Sequence, residues 1–216
     1  MLLKKNYSKN TEYNREMATK KENYTLLNRK YALKNQTVLL GDSITDFFNC
    51  YELFYDFSKS SGQAVYNRGI SGDTSDRLIE RLYDNVLYIE PKNIVLLIGT
   101  NDISRGIPLS DSVKNLERII TETKNACPDV NFIVEAVYPI NENMRDKFEK
   151  RKNKIICEMN NEFIKLCEKH NCVWLDFTDK LKDESGNLKK ELTYDGLHIN
   201  AKAYEIIAEN IIPLLK

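Results

Sequence analysis

Four short stretches of this 216-residue chain carry side chains able to do chemistry, and three of them stand where an apolar run ends. Gly41-Asp42-Ser43-Ile44-Thr45 offers the Ser43 hydroxyl at the carboxyl end of a predicted strand, the edge at which open α/β sheets bind their ligands. A hydroxyl at such a turn lies near helix N–H groups that stabilise negative charge, and Gly41 permits a tight bend. Taken alone, Gly-Asp-Ser is more simply read as plain helix capping by Asp42 or Ser43. Gly69-Ile70-Ser71-Gly72-Asp73-Thr74 is a second glycine-rich turn, in which Gly72 either presents its N–H inward or shapes a turn capped by Asp73 or Thr74. Gly99-Thr100-Asn101-Asp102 follows the third apolar run; the Asn101 amide can donate to an oxyanion or close an Asx-turn.

The fourth stretch, Tyr194-Asp195-Gly196-Leu197-His198, adds the group the others lack. An imidazole can take a proton from a serine and return it to a leaving group, provided a carboxylate holds its other nitrogen in the right tautomer. Asp195 and His198 are three residues apart, so one turn of chain can carry both to one point. The chain has two histidines, and His170 sits where a polar helix should end, as a solvated residue near a helix C-terminus. His198 is the candidate base.

Something must bring these four stretches together. From Thr37 onward short apolar runs alternate with amphipathic segments, the pattern of a parallel sheet covered on both faces by helices. Five runs read as strands: 37–40, 64–67, 93–98, 131–137 and 172–177. Leu109, Val113, Leu116, Ile119 and Ile120 recur at helical spacing after a candidate cap at Ser110, as do Ile155, Ile156, Met159, Phe163 and Leu166. A last helix is expected over 201–215, slowed by Pro213. Residues 1–36 form a basic N-terminal extension whose second half is expected to be a helix docked through Tyr24, Leu27 and Tyr31, with the first twenty residues disordered; residues 37–216 form the domain proper.

Composition excludes some functions. Lys plus Arg and Asp plus Glu balance at 32 each, so no overall field would gather a polyanion, and nucleic acid is not an expected partner. The five cysteines form no C-x-x-C pair, and their odd number suits a reducing compartment. Met1-Leu2-Leu3-Lys4-Lys5 lacks the apolar core of a signal peptide, and no stretch is long enough to span a bilayer, so the expectation is a cytoplasmic protein. Neither a zinc-ligand pattern nor a phosphate-binding glycine motif is present, and no metal or cofactor is expected.

Taken together and in order, the four stretches resemble the conserved blocks of the SGNH (GDSL-like) hydrolases, over about Val38 to the C-terminus. The opening reads Gly-Asp-Ser-Ile rather than Gly-Asp-Ser-Leu, as in the platelet-activating-factor-acetylhydrolase-like and carbohydrate-esterase-like members. The resemblance implies a flavodoxin-like three-layer α/β/α sandwich with a five-stranded parallel sheet in the order 2-1-3-4-5. It further implies a serine esterase with Ser43 as nucleophile, His198 as base and Asp195 as its orienting acid. The oxyanion hole would be the N–H of Ser43, the N–H of Gly72 and the Asn101 amide, with Gly69 the competing choice for the second block. Asp42, and Tyr138 in Val137-Tyr138-Pro139-Ile140-Asn141, are expected to border a small-molecule ester substrate, although Tyr138 suits half-buried packing equally well. The absence of a long apolar lid favours a short acyl group, acetyl above all, on a polar alcohol such as a sugar. A thioesterase or lysophospholipase with the same triad, or a carbohydrate-binding domain without turnover, are the alternatives.

Overall fold

The computed structural model describes residues 2–144 and 150–216. In chain order the elements are α1 (Leu2–Lys30), β1 (Thr37–Gly41), α2 (Ser43–Asp46), α3 (Cys50–Leu53), α4 (Tyr55–Ser61), β2 (Val65–Gly69), α5 (Ser75–Asn85), β3 (Asn93–Leu97), α6 (Thr100–Arg105), α7 (Leu109–Ala126), β4 (Asn131–Glu135), α8 (Asn153–Lys169), β5 (Val173–Leu175), α9 (Thr178–Leu181) and α10 (Ala201–Ile211). All five strands pair in parallel, in the order β2-β1-β3-β4-β5. β1, β3 and β4 are buried on both faces, which is why they read as continuous apolar runs.

Alternate residues of the sheet feed two cores. Val38, Leu40, Ile94, Leu96, Phe132 and Val134 pack beneath α5, α7 and α8, through Leu78, Leu82, Leu116, Ile119, Ile120, Met159 and Phe163. Leu39, Val95, Leu97 and Ile133 face the other way, onto Phe48, Phe54 and the α10 residues Tyr204, Ile207 and Ile211. The period of two along each strand thus divides one sequence run between two layers. α10 ends at Ile211 and tightens into a 3-10 turn, Ile212–Leu214, where Pro213 supplies no N–H for a further helical bond.

The N-terminal segment departs from expectation. α1 is a single helix from Leu2, and its docking face is not Tyr24-Leu27-Tyr31: Tyr24 is buried, whereas Leu27 and Tyr31 are exposed. Polar anchors replace the expected apolar ones. The Tyr24 hydroxyl donates to the Gly69 carbonyl (2.9 Å), Asn28 accepts from Arg68 Nη2 (2.7 Å), and Asn85 donates to the Lys21 carbonyl (3.0 Å). Arg68 also lies 4.9 Å from the centroid of the Tyr24 ring. α1 is therefore bolted to the carboxyl end of β2. Among the described residues no helix is long and apolar enough to cross a membrane.

Candidate active site

Sheet order decides where the loops meet. The chain steps from β1 outward to β2 and then back across to β3, so the connections leaving β1 and β3 part in opposite directions and leave a crevice at their carboxyl ends. Ser43 opens α2 directly after β1 and is buried. Its hydroxyl lies 3.0 Å from His198 Nε2, although the two are 155 residues apart. His198 Nδ1 is 2.9 Å from Asp195 Oδ2, while Asp195 Oδ1 accepts from the backbone N–H of His198 (2.8 Å) and of Leu197 (3.0 Å). One carboxylate thus holds both the ring and the backbone of the histidine. Burial pushes the Asp195 carboxyl up, but those hydrogen bonds outweigh it and hold the group below the usual carboxylate range. His170, by contrast, caps the end of α8 and pairs with Glu117 at 3.0 Å.

The second turn separates its two glycines by role. A Cβ on Gly69 would stand 2.3 Å from the Asp46 nitrogen, so only glycine lets the end of β2 lie against the backbone of α2. Gly72 has φ +75°, in the left-handed region, and its N–H has no acceptor among the described residues. Asp46, at the far end of the helix that Ser43 begins, accepts from the Ser71 N–H (3.0 Å) and hydroxyl (2.6 Å) and pairs with Lys20 of α1. That carboxylate therefore ties the Ser43 turn, the Gly72 turn and the N-terminal helix together. Arg81 braces the same region from beneath, donating to Asp73 (2.6 Å) and to the carbonyls of Arg68 (2.8 Å) and Gly41 (3.1 Å).

Asn101, second in α6, donates through Nδ2 to the Asp73 carbonyl (3.0 Å) and, at a longer 3.3 Å, to Asp42 Oδ2. Its Oδ1 accepts from Arg151 Nη2 (2.9 Å), and Arg151 Nε donates to the Thr100 carbonyl (3.1 Å). A guanidinium cannot donate to an amide nitrogen, so Arg151 sets which way the amide faces. The structure brings Ser43, Asp195, His198, Gly72 and Asn101 to one end of the sheet.

Asp42 and Tyr138 lie beneath the site instead of bordering it. Asp42 is 1% exposed and accepts from the Ile44 N–H (3.0 Å), as an N-cap. Tyr138 is 3% exposed, rests against Phe177 and donates its hydroxyl to Glu135. In both cases the packing alternative is the one observed: the carboxylate satisfies a helix terminus, and the aromatic side chain fills the core. Sequence reasoning also missed Asp46, Arg151 and the exposed ring of Phe47. Their partners lie across the fold, and no local spacing announces them.

Two buried carboxyls give the protein a stability signature. Burial pushes Asp42 and Glu135 up to about 7 each, the Ile44 N–H and the Tyr138 hydroxyl respectively offsetting part of the rise. Unfolded, both groups would ionise near 4. Between pH 4 and 7 the folded chain therefore holds more protons than the unfolded one, and this contribution to stability is lost as pH rises through that window. Glu135→Gln keeps an acceptor for Tyr138 and removes one of the titrations. Its unfolding midpoint should drop less than that of the wild type between pH 5 and 7.5; equal drops would contradict the assignment.

The model of the GDSL-like lipase/acylhydrolase family matches residues 39–206. A solved structure from Streptococcus pneumonia, provisionally described as a platelet activating factor, superposes with a TM-score of 0.91 at 27% identity, covering 100% of both chains. An acetylxylan esterase from Geobacillus stearothermophilus shares the fold with a TM-score of 0.67 at 21% identity, over 86% of this chain and 95% of that one. The N-acylneuraminate cytidylyltransferase of Escherichia coli O18:K1:H7 is 28% identical over 82% of this chain, which spans only 40% of that protein's length. The matched segment runs from β1 into α10 and so includes all four candidate stretches. The chain belongs to the GDSL-like lipase/acylhydrolase family.

Proposed function

We propose that the protein hydrolyses short-chain acyl esters, acetyl esters of a carbohydrate above all, with Ser43 as nucleophile, His198 as general base and Asp195 as its orienting acid. The observation that carries this reading is the unbroken line from Ser43 Oγ to His198 Nε2 (3.0 Å) and from His198 Nδ1 to Asp195 Oδ2 (2.9 Å). In the first step Ser43 Oγ attacks the ester carbonyl carbon as its proton passes to His198 Nε2. The tetrahedral intermediate collapses, the C–O bond to the alcohol breaks, and the alcohol oxygen takes the proton from His198. Water then attacks the acyl-enzyme, gives its proton to His198, and acid and free serine are released.

Charge on the carbonyl oxygen is met by the N–H groups of Ser43 and Gly72 and by the Asn101 amide. The leading N–H groups of a helix such as α2 have no intrahelical acceptor, which favours Ser43 in this role. Asn101 must turn a proton from its longer, 3.3 Å contact with Asp42 towards the oxyanion. The reading adopts a sugar acetate as substrate because no long apolar insertion interrupts the chain between the four stretches, and because an acetylxylan esterase shares the fold.

A series of p-nitrophenyl esters in true solution tests the acyl group. An enzyme built for long chains gains about 0.8 kcal/mol, or severalfold, for each methylene it buries. Here kcat/KM is expected to fall beyond butyrate. Faster turnover of octanoate than of acetate would replace the sugar-acetate reading with a thioesterase or lysophospholipase.

A further inference from the structure

We propose that Phe47 and Tyr194 form the subsite for the alcohol half of the ester, and that this half is a ring with a flat C–H face, a pyranose above all. The inference rests on the catalytic reading above. To receive its proton, the leaving oxygen must come within about 2.6–3.2 Å of the nitrogen that faces Ser43, so the alcohol it carries lies against the imidazole of His198. Among the described residues, two aromatic rings adjoin that imidazole. The Phe47 centroid is 5.4 Å away with the planes 52° apart, and the Tyr194 centroid is 5.8 Å away, stacked at 12°.

Both rings are exposed where their neighbours are not. Phe47 is 49% exposed and Tyr194 59%, whereas Phe48, next in the chain, is 6% exposed and stacks on buried Tyr204. Folding therefore uses Phe48 and leaves Phe47 at the mouth of the site. Each exposed ring is also tied to a reacting group. The Phe47 N–H donates to the Ser43 carbonyl (3.0 Å), and Tyr194 sits in the turn where the Thr193 hydroxyl donates to the His198 carbonyl (2.5 Å). The backbone that carries each ring is thus fixed relative to Ser43 and His198.

Rigid aromatic side chains with few rotatable bonds provide contact area at low entropic cost, and their faces suit flat apolar surfaces. A small alkyl alcohol would leave them wet, whereas one face of a pyranose would cover them.

The test compares two acetates that differ only in the alcohol: ethyl acetate and a mono-O-acetylated methyl pyranoside. For Phe47→Ala and Tyr194→Ala, the ratio of kcat/KM on the pyranoside to that on ethyl acetate should fall about tenfold, mostly through KM on the pyranoside. Tyr194→Phe, which keeps the ring, should preserve the wild-type ratio. An unchanged ratio in the alanine variants overturns the subsite, whether both esters slow in parallel because the rings merely position His198 or neither slows. Wild-type protein that hydrolyses neither ester overturns the catalytic reading itself, and the subsite with it.

Discussion

Ser43→Ala should all but abolish ester hydrolysis while leaving the fold intact, the residual activity being what the oxyanion donors and substrate binding supply without the nucleophile. Removing the nucleophile of a serine triad costs on the order of a millionfold in kcat, as in subtilisin, the standard reference case for this measurement. Here the effect should be as large, because the proposed reaction runs through the Ser43 hydroxyl, which lies 3.0 Å from His198 Nε2. The backbone role of Ser43 as first residue of α2 survives in alanine, and the helix cap belongs to Asp42. A fluorophosphonate probe provides the second measurement, since it labels an activated serine and should label wild type and not the variant. Hydrolysis within tenfold of wild type, or undiminished labelling, would refute the assignment.

Asn101→Ala should lower kcat by about a hundredfold with little change in KM, the signature of a donor that acts chiefly in the transition state. Arg151 gives this prediction its sharper form. Because Arg151 Nη2 donates to Asn101 Oδ1, the amide NH2 is turned toward Asp73 and Asp42. Asn101→Asp would keep an acceptor for Arg151 and lose the donor, so its loss in kcat should match or exceed that of the alanine variant. If both variants instead lose thermal stability and keep kcat, Asn101 serves only to tie α6 to the Asp73 turn. Steady-state kinetics and melting curves on the same two proteins decide between these outcomes.

Much of this architecture is written locally. Val38-Leu39-Leu40 and Ile94-Val95-Leu96-Leu97 read as strands buried on both faces because each face of the sheet needs an apolar residue every second position, and the helices declare themselves by their 3.6-residue period. The strand order followed from the family resemblance of the four polar stretches, and the helix-covered parallel sheet from the alternation of apolar runs with amphipathic segments. The Asp195–His198 pair was legible for the same reason as the helices: a spacing of three residues is a local distance, closed by a single turn.

Contacts across the fold were not legible. Asp42 and Tyr138 carry groups that suit a binding site, and only packing shows that one caps α2 while the other gives its hydroxyl to Glu135 in the interior. Arg151 meets Asn101 at a separation of 50 residues, and Lys20 meets Asp46 at 26. Phe47 and Phe48 are the same residue type side by side, yet one is buried and the other faces solvent beside His198. Composition and period record how each segment meets a generic core. Which side chain meets which partner is settled by the three-dimensional arrangement, because side-chain orientation at a turn depends on what the rest of the chain places against it.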